Sequence, residues 1–232
     1  MSRIYSDGCS WTRIVASRHE QKLMKIEPDW DGKRRWSRLV SNHFGGEDCN
    51  HSIIAGSNHR IARNLCNNDL SQYDMFLICM TNRMRTEYHN GRGWQKVKFD
   101  NFHPKNPRED HTFMGAEDRH EKQKYYDFWK QYYRDIYTEE YGIQDEKMCY
   151  NLIRLLLKET GKPYIIFSYS KLGKPPCPLW INHKFISQHE HHGHSNQEGH
   201  KHIANDIITR LENKDLIWKT SNVMIANEES II

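Results

Sequence analysis

The run Tyr73–Met80 (YDMFLICM) constrains the fold more than any other stretch of the chain. Almost every position is apolar, so both faces must be covered, as in a parallel strand held between two layers of helices. Pro163–Tyr169 (PYIIFSY) reads the same way, Ser2–Ser6 as a short first strand, and Cys49–Ala55 (CNHSIIA) as a second. Helical patterns lie between the strands. Arg34–Phe44 places Trp36, Leu39, Val40 and His43 on one face and is ended by Gly45-Gly46. Asn58–Leu65 is capped by Ser57 or Asn58. Tyr125–Tyr137 is a further helix, and one could begin over Trp11–Leu23. In Asp145–Lys158 the residues Met148, Leu152, Leu155 and Leu156 point inward, with Gly161 past its end. Gln197–Leu211 turns Ile203, Ile207, Ile208 and Leu211 inward. This alternation predicts an α/β fold with a mostly parallel sheet. Four strands are evident and a fifth is not.

At 232 residues the chain fits one domain, 1–232, with a sizeable core. The polar stretch Thr86–Lys122 interrupts the alternation. A structureless insert of that length is a functional element or a surface decoration. It follows the third strand, so we read 86–122 as an inserted lid or partner-contact segment, with Trp94, Phe99, Phe102 and Phe113 forming either a binding surface or a small private core. A net charge of +4 without a clustered basic stripe excludes nucleic acid as the expected partner. Lys33-Arg34-Arg35 is the one basic run and reads as a solvated helix start. Mean hydropathy is −0.92, and nothing approaches the ~18 apolar residues of a membrane span, so no membrane is expected. Cys9, Cys49, Cys66, Cys79, Cys149 and Cys177 are dispersed without a C-x-x-C pair, the usage of reduced core thiols. With no apolar leader at the N-terminus, a cytoplasmic location is expected.

Gly8-Cys9-Ser10 follows the first strand directly. Sites in open α/β sheets form outside the carboxyl ends of the strands. Ser10 follows strand one, Gly56 strand two and Asn82 strand three, so the topology gathers them at one edge. Acyl transfer needs a hydroxyl activated by a base and preorganised donors for the oxyanion. Ser10 is the candidate nucleophile. The backbone N–H groups of Ser10 and Gly56 and the side-chain amide of Asn82 are the candidate donors. His194, just before the last helix, is the candidate base, while Ser195, Asn196 and Glu198 suit that helix's first turn. Asn58 and Trp11 border these segments as candidate substrate contacts.

These residues resemble the SGNH hydrolases, also called GDSL-type esterases and lipases. Gly8-Cys9-Ser10-Trp11-Thr12 resembles their glycine-aspartate-serine-x-threonine block. Gly56 resembles the second-block glycine, Asn82 the third-block asparagine, and His191–His200 the last block, with Ser195 where proline is usual. The resemblance covers Ser2 to about Arg83 and Lys162 to Leu211. It implies a three-layer αβα flavodoxin-like fold, no cofactor, Ser10 as nucleophile, Gly56 and Asn82 as oxyanion donors and His194 as base. Cys9 stands in place of the first-block aspartate, Met80 of the third-block glycine and Arg83 of its aspartate. His191 occupies the position of the triad acid. Glu190 is the nearest substitute; otherwise a Ser-His dyad operates, with Asp7 and Asp206 conceivable acids elsewhere. An unoriented imidazole loses tautomer control, a penalty that reaches ~10⁴ in the serine-protease triad. The glycine-cysteine-serine-aromatic-threonine block resembles a divergent branch seen in bacteriophage sequences.

The expected function is hydrolysis of a small-molecule or carbohydrate ester. Small O-acyl groups on carbohydrate are preferred because no apolar acyl-binding stretch suits lipids. Two readings compete. His183, His189, His191, His192, His194, His200 and His202 could hold a metal in a His-rich hydrolase, although no Cys or paired carboxylate lies at suitable spacing. A catalytically degenerate binding or virion structural module on the same fold is the other. Cys9 is expected beneath the turn, because adjacent side chains point apart and only one can face a site. No oligomeric state is implied.

Overall fold

The computed structural model describes residues 1–9, 12, 35–53, 56–89, 91, 93–98, 127–168 and 197–212. In chain order these form β1 (Ser2–Asp7), α1 (Trp36–His43), β2 (Gly46–Asn50), α2 (Asn58–Asn67), β3 (Met75–Met80), β4 (Arg85–His89), β5 (Trp94–Lys98), a π-helical turn (Tyr132–Ile136), α3 (Glu139–Glu159), β6 (Tyr164–Ser168) and α4 (Gln197–Glu212). The main sheet runs β2-β1-β3-β6, every pairing parallel. With β4 and β5 set aside this is the 2-1-3-4 order of flavodoxin-like sheets, whose direction of winding reverses between β1 and β3.

Alternation along β3 shows why its sequence is continuously apolar. Phe76, Ile78 and Met80 face one layer, with Ile61, Ala62 and Leu65 of α2 and Cys149, Tyr150, Ile153 and Leu157 of α3. Leu77 and Cys79 face the other, with Trp36 and Val40 of α1 and Ile203, Ala204, Ile207 and Leu211 of α4. The fold is therefore αβα. Each fully buried aliphatic side chain here, such as Ile153 or Leu157, contributes about 1.5–3 kcal/mol. The expected inward set of α4 is observed, Ile208 being partly buried.

Three expectations are corrected. β2 covers Gly46–Asn50, not Cys49–Ala55. Its polar sequence conceals a strand because Asp48, buried, accepts hydrogen bonds from Ser6 Oγ at 2.6 Å, Ser37 Oγ at 2.9 Å and Arg35 Nε at 2.7 Å. Gly45 turns the chain out of α1 at φ 65°, a conformation glycine adopts without cost. α3 begins at Glu139, six residues before the expected start, capped by the Thr138 hydroxyl accepting from the Tyr141 N–H at 3.1 Å. Its inward face is Cys149, Tyr150, Ile153 and Leu157, whereas Met148, Leu152 and Leu155 are exposed. Both faces of this helix are apolar, so periodicity alone could not choose between them.

The insert is not structureless. β4 and β5 pair antiparallel from Arg85↔Lys98 to His89↔Trp94. Behind the hairpin Val97, Trp129 and Tyr133 form a small core with Tyr88, Tyr132 and Tyr137 against it. Trp94 instead carries the Arg63 guanidinium on its ring face at 4.2 Å, while Arg63 also holds Glu87 through two hydrogen bonds of 3.0 Å. The hairpin is thereby fastened to α2. Phe99, Phe102 and Phe113 lie outside the described residues, as does most of the helix expected over Trp11–Leu23. No helix among the described residues is long and apolar enough to cross a membrane.

Candidate active site

All four main-sheet strands are parallel, so their carboxyl ends share one edge, and β1 and β3 lie side by side there at the reversal point. Two glycines draw the first two sequence segments together. A Cβ on Gly8 would collide with the Thr12 hydroxyl and stand 3.0 Å from the Cys79 carbonyl. A Cβ on Gly56 would stand 3.0 Å from the Gly8 carbonyl and 2.9 Å from Arg60 Nε. Only glycine permits this approach of backbone to backbone. The Thr12 N–H donates to the Cys9 carbonyl at 2.9 Å. Cys9 is buried, as expected.

The second segment is stitched to the third by Asn58. Its Nδ2 donates to the Thr81 carbonyl at 3.1 Å and its Oδ1 accepts from the Thr81 N–H at 2.8 Å. Asn58 is buried, and this bidentate bond makes it a positioning group for the Thr81-Asn82 bend; a substrate contact was the expectation. Asn82 Oδ1 in turn accepts from the Met84 N–H at 2.8 Å. That bond orients the side-chain amide and leaves its Nδ2 without a partner among the described residues.

Gly56 departs from its expected role. Its N–H donates to the Ile53 carbonyl at 3.2 Å, so it is not presented as an open donor. Of the expected site residues, Gly56, Asn58 and Asn82 are brought together; Ser10, Trp11, Glu190 and His194 lie outside the described residues. So does the His-rich run apart from His200 and His202. His200, buried, accepts from the Trp36 N–H at 3.4 Å and joins α4 to α1.

Sequence reasoning missed the anchor under the turn. Asp7 is fully buried at the end of β1. Its Oδ1 accepts from the Gly8 N–H at 2.7 Å and from the Arg60 guanidinium; its Oδ2 accepts from Tyr5 Oη and Asn64 Nδ2, each at 3.1 Å. Arg60 also donates to the Gly8 carbonyl at 2.7 Å and the His51 carbonyl at 3.0 Å. Asp7 is thus engaged by four groups beneath the turn, and Asp206 pairs with Arg210 along α4 at 3.1 Å. An acid directly before Gly8 and an arginine in the first turn after Gly56 were the only traces of this anchor in the sequence.

Arg83, in place of an acid, is also built in. It is buried, with its Nε 3.4 Å from Glu146 Oε2 and its Nη1 4.0 Å from Glu139. Burial pushes the Glu146 carboxyl up to about 7, against the pull of Arg83. A carboxyl raised above its unfolded value of about 4.3 adds stability that is full below that value and lost as pH rises through the folded one. Thermal melting of the wild type should therefore lose stability between pH ~4 and about 7 more steeply than Glu146→Gln. Parallel profiles would remove Glu146 from the account.

No protein-family model and no curated protein matches the sequence. Solved structures do. One is a carbohydrate esterase whose active site "displays divergent catalytic and non-catalytic binding functions": TM-score 0.53, 13% identity, with 94% of this chain and 67% of that one aligned. The chain shares the αβα fold of that structure. A lipolytic protein of the G-D-S-L family from Desulfitobacterium hafniense aligns over 90% of this chain and 99% of its own, at 12% identity and TM-score 0.36, an overlap too small to add to that.

Proposed function

We propose that the chain is a serine ester hydrolase of acyl-serine mechanism, removing small O-acyl groups from carbohydrate. One observation carries the reading: Gly8, Gly56 and the Asn58–Thr81 clasp gather three chain segments at the sheet's reversal point, where the Asn82 amide nitrogen has no partner among the described residues. Open α/β sheets bind ligands at that point. The carbohydrate-esterase neighbour on the same fold supports the substrate class.

Ser10 Oγ attacks the acyl carbonyl carbon while His194 takes its proton. Asn82 Nδ2 and the Ser10 N–H hold the developing oxyanion. The Gly56 N–H, engaged by the Ile53 carbonyl, is not counted among these donors. The sugar hydroxyl leaves with the proton from His194, and water repeats the sequence on the acyl-serine. Glu190 orients the imidazole, or the pair works as a dyad.

The competing reading, a binding module without catalysis, draws on Arg83, which gives the third segment a buried cation where the resembled family has an acid. Labelling of the purified protein with a fluorophosphonate, read by intact mass and peptide mapping, separates the two. One adduct, on Ser10 and competed by short acyl esters, is expected. A folded protein that takes no adduct would favour the binding module.

A further inference from the structure

Beside the Asn58–Thr81 clasp, α2 and α3 bring together three side chains that the proposed hydrolysis does not use. His59 lies in the first turn of α2; Asp145 and Cys149 lie one turn apart on α3. Residues four apart on a helix share a face. Their ligand atoms, an imidazole nitrogen, a carboxylate oxygen and a thiol sulfur, all lie within 4.8 Å of one another. His59 Nε2 is 3.0 Å from Asp145 Oδ1. The other ring nitrogen, Nδ1, is buried and has no hydrogen-bond partner of ordinary geometry among the described residues.

We propose that His59, Asp145 and Cys149 form a zinc-type divalent cation site that clamps the start of α2 to α3. The donor set is one nitrogen, one oxygen and one sulfur, the mixture that borderline-soft zinc accepts in tetrahedral sites. At the usual bond lengths the edge of such a tetrahedron between nitrogen and oxygen is about 3.3 Å. The observed 3.0 Å needs only a small parting of the two side chains to admit the ion. Water completes the fourth position. The His59 side chain is 36% exposed and that of Asp145 14%, which gives the ion a route from solvent.

A cation bound here takes a neutral imidazole nitrogen and a thiolate, so affinity falls as pH falls. A nucleophilic role for Cys149 with the same neighbours is not the better reading, because Cys149 is only 3% exposed and no substrate carbon can reach its sulfur. The position matters to the strand edge. His59 directly follows Asn58, the residue that holds Thr81, so a clamp on α2 at this point stiffens the support of the Asn82 bend.

Cobalt(II), a spectroscopic substitute for zinc, tests the site in the full metal-free chain. One Co²⁺ per chain should bind with a thiolate-to-cobalt charge-transfer band and intense visible bands of tetrahedral form, and Zn²⁺ should abolish both. Cys149→Ser should remove the charge-transfer band. His59→Gln, at a part-exposed position, should weaken Co²⁺ at least about 10-fold. The run His183–His202 contains no cysteine, so cobalt held there gives no thiolate band. Binding without that band, a band that survives Cys149→Ser in a folded protein, or unchanged affinity in His59→Gln would each overturn the site.

Discussion

Ser10→Ala is expected to lower kcat/KM on p-nitrophenyl acetate and on acetylated xylan by at least about 10⁴-fold, with the melting temperature unchanged. That is roughly 5 kcal/mol of transition-state stabilisation. The size of the effect follows from the division of labour. Oxyanion donors alone leave a residual rate, because they stabilise charge whichever nucleophile attacks. In the proposed mechanism the serine and its base act as a unit, so removing either loses nearly all of the covalent route. The unchanged melting temperature follows from how the turn is held. It is fixed by the Thr12–Cys9 backbone bond, by Asp7 on the Gly8 N–H and by Arg60 on the Gly8 carbonyl, none of which needs the Ser10 hydroxyl. A loss of less than about 10-fold would mean that the measured hydrolysis does not pass through an acyl-serine. A loss accompanied by a fallen melting temperature would mean that Ser10 supports the fold instead.

The parts of the fold that could be read from sequence are those where burial is apolar. β3 and β6 are covered on both faces, so their runs of Phe, Leu and Ile leave no alternative. β2 was misplaced because burial there is polar: Asp48 enters the interior with Ser6, Ser37 and Arg35 around it, and no hydropathy pattern marks such a strand. The β4–β5 hairpin was missed for a related reason. Its small core is made by aromatic residues from the segment around Trp129–Tyr137, distant in sequence, so the alternation of Arg85–His89 alone looks like loop. The same division holds at the candidate site. Gly56 stands out because backbone approaches backbone there, and Asn82 because it closely follows the apolar β3. Asn58 was read as facing substrate, since nothing in a sequence tells an amide that binds a ligand from one that binds a neighbouring loop.

Arg60→Met is expected to destabilise the protein by about 3–5 kcal/mol, the largest stability effect of any single change considered. The reason is the partner left behind. Asp7 is fully buried, and without Arg60 its carboxylate keeps three neutral donors, Gly8, Tyr5 and Asn64, but no counter-charge. An uncompensated buried carboxylate is far costlier than the intact pair is favourable. The double change Arg60→Met with Asp7→Asn should therefore recover much of the loss, because the amide carbonyl still accepts from the Gly8 N–H while the charge is gone. Urea denaturation of the three variants measures this directly. Stability and hydrolysis should then part company. Arg60 is also the donor to the Gly8 carbonyl and to the His51 carbonyl, so it fixes the turn from beneath as well as neutralising Asp7. The double variant should be nearly as stable as the wild type yet hydrolyse esters more slowly, with kcat falling more than KM rises, because a loosened turn misplaces groups that act only in the transition state. If Arg60→Met costs under about 1 kcal/mol, Asp7 is not held as an anion and the turn rests on backbone packing alone. If the double variant regains stability and full kcat together, Arg60 serves the fold and has no part in positioning the site.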